Sequence, residues 1–202
     1  MIVIGITGII GSGKTTIARM LKNEGFNVID LDGLVREVIK QKEAQGEIQK
    51  AFGERHIEDG QVDMGRLGET AFKSNEALRA LEKIIHPRVR EELGKQVERL
   101  KRAGTRVVLV DAPLLFETGL HRKLDKIVVV SAEMEKIRER LKRRGMAEED
   151  VDRRIPFQIP LKEKEKKADH IVSNNGTEED LKKELAALLE KIKEWEVRAN
   201  AP

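Results

Sequence analysis

The sequence lacks cysteine, contains few aromatic residues and has no long apolar segment. None of its 202 residues is cysteine, so disulfide bonds and thiolate zinc sites are excluded. Aromatic residues make up 3% of the chain, which leaves little for stacking against nucleic-acid bases. No run of about 18 consecutive apolar residues is present, and no basic segment precedes the first apolar run. We therefore expect a cytoplasmic protein without a signal peptide, a membrane span or a nucleic-acid partner.

Charged residues are abundant, but the two signs nearly balance. The chain has 39 Lys and Arg residues against 36 Asp and Glu residues, which gives a formal net charge of +3. This balance is typical of a surface of mixed charge and does not indicate binding to nucleic acid. The length suits one domain with a substantial core, and no repeats or low-complexity linkers divide it. We expect a monomer.

The opening stretch combines an apolar strand, a glycine-rich loop and the start of a helix. After the β-branched run at residues 2–6, Gly8, Gly13, Lys14 and Thr15 fit the phosphate-loop pattern G-x-x-x-x-G-K-S/T. Glycines are needed because a Cβ would collide with phosphates that bind the backbone N–H groups at the positive end of the helix. Lys14 is expected to reach the β- and γ-phosphates of ATP, and the Thr15 hydroxyl to ligate Mg²⁺. The loop residues predicted to bind ATP are Gly8, Gly11, Ser12, Gly13, Lys14, Thr15 and Thr16.

Carboxylates follow two of the predicted strands. Asp30 and Asp32 come after the short apolar pair Val28-Ile29, and Asp111 ends a continuous apolar strand. Ligands of open α/β sheets bind beyond the carboxyl ends of the strands, so we expect these groups near the phosphate loop. Asp32 is either a catalytic group or the cap of a helix that begins at Gly33. Asp111 either holds Mg²⁺, directly or through water, or is a solvated strand end.

The segment between the second and third strands of the predicted sheet is long and largely helical. It covers residues 36–104, with a turn-rich interruption at residues 53–63. Apolar residues recur at helical spacing over residues 77–100, and Pro87 should bend or restart that helix. On spacing alone, His86 is a residue of this kink. Such a length exceeds what a crossover needs and predicts a helical insertion that holds a second substrate.

A strongly basic helix is predicted after the next strand. Residues 136–144 contain six basic side chains against one acid, and Arg140 and Arg144 lie four residues apart on one helix face. Most charge runs are solvated faces, but a cationic face beside a phosphate loop suits γ-phosphoryl transfer, in which charge spreads over the phosphoryl oxygens. A second short helix, ended by Pro156 and Pro160, completes a hairpin that could close as a lid. Further on, the turn Asn174-Asn175-Gly176 could border a nucleotide base.

Taken in chain order, these motifs resemble the dephospho-coenzyme A kinase family, which consists of P-loop kinases related to nucleoside monophosphate kinases. The phosphate loop alone specifies only a nucleoside triphosphate site, whereas the other motifs are more specific. Ile9 departs from the family, which usually has a second glycine there. The residues that carry the resemblance beyond the loop are Asp30, Asp32, Arg36, His86-Pro87, Pro113-Leu-Leu-Phe-Glu117, Arg140, Arg144, Arg154, Gln158, Ala168-Asp169, Asn174 and Gly176.

The resemblance implies transfer of the ATP γ-phosphate to the ribose 3′-hydroxyl of dephospho-coenzyme A, the last step of coenzyme A synthesis, with Mg²⁺ as the metal. Asp32 would accept or orient the hydroxyl proton, Lys14 would act on the phosphates, and Arg140 would bind the transferring phosphate with Arg144 as support. The remaining implied contacts are Arg144, Asn174 and Asn175 with ATP, and Asp32, Arg36, His86, Pro113, Leu114 and Glu117 with the acceptor.

We therefore predict the α/β/α three-layer fold of P-loop NTPases, with a central parallel sheet of five strands. The core is expected at about residues 1–32, 105–135 and 168–202, the acceptor-binding insertion at 33–104 and the lid at 136–167. Two other functions fit the loop: a nucleoside or nucleoside monophosphate kinase, and a nucleotide-dependent binding or switch protein. The arginine-rich lid disfavours the switch protein, because a lid that excludes water suits transfer better than hydrolysis.

Overall fold

A parallel sheet of five strands forms the centre of the fold in the computed structural model, which describes residues 1–71 and 73–199. The spatial order of the strands is β2-β5-β1-β6-β7. In register, Ile4 of the central strand lies beside Leu109 on one side and Lys126 on the other. The strands of this sheet are β1 (Ile2–Gly8), β2 (Asn27–Asp30), β5 (Val107–Asp111), β6 (Lys126–Ser131) and β7 (His170–Ser173).

Helices connect and cover these strands. Every residue of β5 and nearly every residue of β1 is buried, so both faces of the sheet are covered. One buried cluster joins side chains of these strands to those of the first and last helices, including Leu21, Leu188 and Trp195. The helices are α1 (Lys14–Asn23), α2 (Leu31–Ile39), α3 (Lys42–Phe52), α4 (Met64–Ala71), α5 (Asn75–Arg102), α6 (Met134–Arg143), α7 (Glu148–Arg154), α8 (Leu161–Glu165) and α9 (Glu178–Ala199).

The chain divides into two compact units. The first consists of Met1–Ile29 and the described residues from Leu100 onward, and the second of Asp30–Arg99. The first unit contains most of the sheet and the phosphate loop, and the second is mainly helical. Phe72 of the predicted insertion and residues 200–202 of the predicted core lie outside the described residues. No helix in the described part of the chain is long and apolar enough to cross a membrane.

The predicted start of the second helix was wrong. Helix α2 begins at Leu31 rather than at Gly33, because Leu31 is buried and starts the apolar face that Leu34 and Val38 continue. Asp32 therefore lies within the first turn and is not the cap. Asp30 occupies the capping position, in an extended conformation, but its side chain makes no capping hydrogen bond.

The interruption at residues 53–63, which was predicted only to be rich in turns, contains a small β-hairpin. Strand β3 (Ile57–Glu58) pairs antiparallel with β4 (Gln61–Val62). Between them, Asp59 has φ +49° and Gly60 has φ +71°. An Asp-Gly pair with both φ angles positive is the preferred two-residue hairpin turn. The Asp59-Gly60 pair was therefore the signal in the sequence for a hairpin. The two strands were not predicted, because two residues are too few to show the alternation of apolar and polar side chains.

Helix α5 continues through Pro87, so the predicted restart is not found. A proline inside a helix costs about 3 kcal/mol, because it removes a backbone hydrogen bond and crowds the preceding turn. Ile84, Ile85 and Val89 are buried around it, and each buried side chain of this kind contributes about 1.5–3 kcal/mol. In addition, the Arg88 guanidinium donates a hydrogen bond to the Ile84 carbonyl over 2.7 Å. Burial around the proline thus outweighs its cost.

Candidate active site

The loop between β1 and α1 requires glycine at two positions. Gly11 and Gly13 have φ angles of +80° and +99°, in the left-handed region that favours glycine. A Cβ on Gly11 would lie 3.0 Å from Ile137 Cγ2 and 3.0 Å from Leu141 Cγ, both on α6. A Cβ on Gly13 would collide with the side-chain amide of Asn174. The two glycines thus allow both the turn of the loop and its close packing.

Ile9 does not distort this loop, although it replaces a usual glycine. Among residues 1–71 and 73–199, Asp59 is the one non-glycine residue with a positive φ, so Ile9 keeps an ordinary backbone conformation. Its side chain is buried in an apolar cluster with Ile137, Leu141 and Val151. Ile9 therefore anchors the loop to α6 and α7.

Lys14 forms an ion pair with Asp111. Lys14 is the first residue of α1, Asp111 is the last residue of β5, and both side chains are only 12% exposed. Asp111 is therefore not a solvated strand end, and that alternative was wrong. The pairing holds the Lys14 ammonium group at the amino end of α1, where backbone N–H groups also favour an anion.

Arg140, Asn174 and the phosphate loop form one hydrogen-bond network. Arg140 Nη2 donates to the Asn174 carbonyl over 2.6 Å and to Asn174 Oδ1 over 3.3 Å. Asn174 Nδ2 donates in turn to the Ser12 carbonyl over 2.8 Å. Burial, and then the charge of Arg144, lower the pKa of Arg140. The Nη1 atom of Arg140 is buried and makes no hydrogen bond to the described residues.

Asn175 and Arg144 lie near opposite ends of α6. Asn175 Oδ1 accepts a hydrogen bond of 2.6 Å from the backbone N–H of Glu133, directly before the helix. Arg144 follows the last residue of α6 and is exposed. Thr15, the predicted metal ligand, is also exposed, and Thr16 donates its N–H to the Gly13 carbonyl over 2.9 Å.

The segment at residues 113–117, of which the resemblance assigns Pro113, Leu114 and Glu117 to the acceptor, is held in place by hydrogen bonds within the first unit. The Pro113 carbonyl accepts hydrogen bonds from Thr7 Oγ1 over 3.1 Å and from Lys164 Nζ over 3.0 Å. Glu117 Oε1 lies 2.9 Å from Lys164 Nζ. In contrast, the Leu114 side chain is 43% exposed. Of this segment, Leu114 offers apolar surface to a ligand.

Sequence reasoning missed Lys164. It is fully buried in the short helix α8, which itself was not predicted. In the sequence it is one lysine of the run Lys-Glu-Lys-Glu-Lys-Lys, which reads as a solvated face. A five-residue helix is too short to reveal a buried face by periodicity, so no clear signal was available.

The predicted acceptor residues of the second unit lie on α2 and α5. Arg36 Nη2 is 3.3 Å from Asp30 Oδ2, with the two side chains 61% and 50% exposed. Asp32 is exposed in the first turn of α2, where the helix dipole favours a carboxylate. His86 is half-buried in α5, and burial lowers its pKa although Glu82 opposes this. How these groups lie relative to the phosphate loop stays a prediction.

Within the described parts of the chain, no group of three or more His, Asp and Glu side chains could hold a metal ion. The Thr15 hydroxyl and the Asp111 carboxylate are oxygen donors of the kind that Mg²⁺ prefers, and Mg²⁺ commonly takes its remaining ligands from phosphates and water.

Comparisons with known proteins agree over nearly the whole chain. A model of the dephospho-CoA kinase family matches residues 2–180. A dephospho-CoA kinase of Corynebacterium glutamicum is 41% identical over 195 residues, which cover 95% of this chain and 98% of that protein. A solved structure from Thermus thermophilus is 36% identical with a TM-score of 0.83, and the match covers 94% of this chain and 97% of that one. A dephospho-CoA kinase of Campylobacter jejuni is 26% identical with a TM-score of 0.72, covering 94% and 96% of the two chains.

These comparisons confirm the resemblance that the motifs indicated. They also confirm the P-loop kinase fold and an ATP-dependent kinase activity. Neither the nucleoside monophosphate kinase nor the switch protein is favoured by them. The chain therefore belongs to the dephospho-CoA kinase family.

Proposed function

We propose that the chain transfers the γ-phosphate of ATP to the ribose 3′-hydroxyl of dephospho-coenzyme A. The main support is the phosphate loop, which is held by the Lys14–Asp111 ion pair and by the hydrogen bond from Asn174 to the Ser12 carbonyl. The chain also matches the family model over residues 2–180. In the reaction, the 3′-oxygen forms a bond to the γ-phosphorus while the bond from that phosphorus to ADP breaks. The hydroxyl proton must leave the attacking oxygen.

The nucleotide is bound by the first unit in this proposal. Backbone N–H groups of the loop and the amino end of α1 supply partial positive charge, and Lys14 adds a full one. Because the transition state spreads negative charge over the phosphoryl oxygens, a fixed cation at this place stabilises it. Lys14 is therefore assigned to the β- and γ-phosphates, with Gly8, Gly11, Ser12, Gly13, Thr15 and Thr16 forming the rest of the cradle.

Arg140 is assigned to the transferring phosphate. Its Nη2 is fixed by Asn174, whereas Nη1 is buried and makes no hydrogen bond to the described residues, so one side of the guanidinium is unsatisfied. A guanidinium keeps its charge at neutral pH even where burial lowers its pKa, because the ordinary value is far above neutrality. Arg144, exposed just beyond the end of α6, would support it. Residues 136–167 would act as the lid that excludes water.

The residues assigned to the acceptor are Asp32, Arg36 and His86, together with Pro113, Leu114 and Glu117. Asp32 is the proposed base: its exposed carboxylate would accept the proton of the 3′-hydroxyl or orient it. Arg36 would bind the anionic pyrophosphate of dephospho-coenzyme A, since its exposed pairing with Asp30 contributes at most about 1 kcal/mol and can be exchanged. His86, kept neutral by burial, would contribute a hydrogen bond.

Mg²⁺ is the proposed metal, with the Thr15 hydroxyl as its ligand from the protein and Asp111 as a group that could contact it directly or through water. When bound, it would neutralise charge between the β- and γ-phosphates. The protein would hold the Thr15 hydroxyl oxygen and an Asp111 carboxylate oxygen beside the phosphate loop. A monomeric state and a cytoplasmic location stay predictions.

The proposal is tested by measuring ADP release with different acceptors. Purified protein with Mg-ATP is supplied with dephospho-coenzyme A, adenosine, adenosine monophosphate or no acceptor. We expect stoichiometric ADP formation with dephospho-coenzyme A and only slow release in the other three reactions. Faster turnover with adenosine or its monophosphate would contradict the proposed acceptor, and equal turnover without an acceptor would indicate hydrolysis.

A further inference from the structure

Lys164 is an ionisable side chain with no exposed surface, and its ammonium group contacts three oxygen acceptors. Its side chain is 0% exposed. Nζ lies 2.9 Å from Glu117 Oε1, 3.0 Å from the Pro113 carbonyl oxygen and 3.4 Å from the Gly8 carbonyl oxygen. Three acceptors match the three protons of an ammonium group. Two of the acceptors belong to the segment at residues 113–117, and the third belongs to Gly8 at the end of β1.

One of these acceptors belongs to the phosphate loop itself. Gly8 ends β1, and its peptide group leads into Ile9. Because the peptide bond is planar and trans, directing the Gly8 carbonyl toward Lys164 sends the Ile9 N–H in the opposite direction. The long contact of 3.4 Å is reinforced through Pro113, whose carbonyl accepts from both Lys164 and Thr7, the residue before Gly8.

The residues just before Lys164 hold the same loop from another side. Gln158 Oε1 accepts a hydrogen bond of 2.9 Å from the N–H of Ile10. The N–H of Ile159 donates to Glu117 Oε1 over 2.8 Å. Residues 158–164, which we name the clamp segment, thus contact the loop at Gly8 and Ile10. The clamp segment lies within the proposed lid, at residues 136–167.

The charge balance explains why both members of the ion pair are needed. Burial lowers the pKa of Lys164, while the hydrogen bond and the charge of Glu117 oppose that change and Lys14 adds to it. Removing one member of a buried ion pair leaves the other charge uncompensated, whereas replacing both is often neutral for stability. This asymmetry allows a structural role to be separated from a role in nucleotide binding.

We propose that Lys164 is a positioning residue for ATP, which holds the phosphate loop in its binding conformation through the Gly8 and Pro113 carbonyls, with Glu117 as its counter-charge. The inference deepens the proposed function, because it assumes that the loop binds ATP. It does not depend on which molecule accepts the phosphate. The clamp segment is part of the proposed lid, so its hydrogen bonds to Gly8 and Ile10 connect the lid directly to the phosphate loop.

The test uses three variants of the full chain and one matched control. The variants are Lys164→Met, Glu117→Gln and the double variant, and the control is Lys183→Met, which alters a lysine of α9 that is 79% exposed and lies outside the clamp segment and the lid. For each we measure the Kd of Mg-ATP by calorimetry without an acceptor, the thermal midpoint, and KM for both substrates. Since no acceptor is present in the binding experiment, a wrong acceptor assignment would leave its result intact.

We expect Lys164→Met to raise the Kd of Mg-ATP by about 10- to 100-fold and to lower the thermal midpoint, because it removes a charged donor and leaves the Glu117 carboxylate with the Ile159 N–H but without its counter-charge. The double variant should recover much of the thermal midpoint but not the affinity for ATP. The KM for ATP should rise more than the KM for the acceptor, and Lys183→Met should behave like the unaltered protein.

Two results would overturn the inference. The first is an unchanged Kd for Mg-ATP in Lys164→Met, and the second is recovery of affinity together with stability in the double variant. If Lys164→Met does not fold, Gln158→Ala tests the clamp segment by removing the hydrogen bond to Ile10. That variant should fold and bind Mg-ATP a few-fold more weakly, and unchanged binding would contradict the proposed positioning.

Discussion

The phosphate loop and the region of α2 present their charged groups in opposite ways. At the loop, the side chains of Lys14 and Asp111 are each 12% exposed and paired with one another. Arg36, in the last turn of α2, and Asp30, directly before that helix, are 61% and 50% exposed, and their contact is 3.3 Å long. The proposed nucleotide site is therefore preorganised, which lowers the cost of binding and fixes charges that could stabilise a transition state. The proposed acceptor groups on and before α2 are solvated and can exchange partners.

Removal of Lys14 should have the largest effect of any substitution considered. Lys14→Ala deletes the full positive charge at the preorganised loop, so kcat at saturating ATP should fall by at least about 10³-fold. Steady-state turnover of ATP with dephospho-coenzyme A measures this. Lys22→Ala, on the exposed face of the same helix, is the control. If Lys14→Ala retained most of kcat, the proposed role of the phosphate loop in catalysis would be contradicted.

Substitution of Asp32 tests the other side of the comparison. Asp32→Asn removes the proposed base while keeping the shape of the side chain, and we expect kcat to fall by about 10² to 10⁴-fold with ATP binding nearly intact. Single-turnover kinetics separate this loss from product release. Glu37→Gln, a further exposed acid on α2, serves as the control. A mild loss of stability with normal turnover would leave Asp32 as a helix-dipole residue.

Arg140 should contribute less, because the charge of Arg144 acts on the same place and Arg144 is proposed to support it. Arg140→Met removes one donor to the transferring phosphate and the link to Asn174, and kcat should fall by about 10²-fold. The control is Arg143→Met, since Arg143 is exposed and pairs with Glu139 over 2.5 Å. If Arg140→Met changed only the KM for ATP, Arg140 would be a nucleotide-binding group and not one that acts on the transferring phosphate.

The smallest expected effect is a loss of folding stability at mildly acidic pH. It is attributed to two histidines, one in each unit. Burial lowers the pKa of His86 and of His170, and in each case a glutamate, Glu82 or Glu184, opposes the change. The folded-state pKa then lies below the ordinary value of 6.5, so the unfolded chain binds the proton more readily. Stability should therefore be constant above that pH and fall as the pH drops through it.

Urea denaturation at a series of pH values measures this dependence. His86→Asn and His170→Asn should each make the loss of stability below the ordinary histidine pKa less steep, because each removes one site that protonates preferentially in the unfolded chain. An unchanged slope in both variants would show that other groups control the acid dependence.

The sequence predicted the phosphate loop well because local rules determine it. The strand and the helix on either side are where the pattern placed them, and Gly11 and Gly13 have left-handed conformations that only glycine adopts easily. The start of α2 was wrong, since burial of Leu31 extended the helix by two residues and changed the setting of Asp32. Propensity and capping rules act locally and could not include that burial.

Lys164 shows the limit of sequence reasoning most clearly. Its neighbours along the chain are charged and mostly exposed, and its three partners are 47 to 156 residues away along the chain. Contacts at such separations depend on how the strands and helices assemble, and a single sequence contains no periodicity that reveals them. The same reason applies to the partners of Glu117 and Asn174.

The central claim is that ATP is bound by the first unit without help from Asp32. Calorimetry of Mg-ATP binding to Lys14→Ala and Asp32→Asn, beside the unaltered protein, tests it directly. We expect Asp32→Asn to bind Mg-ATP with unaltered affinity and Lys14→Ala to bind at least about 10-fold more weakly. Equal weakening in the two variants, or weakening in Asp32→Asn alone, would contradict the account.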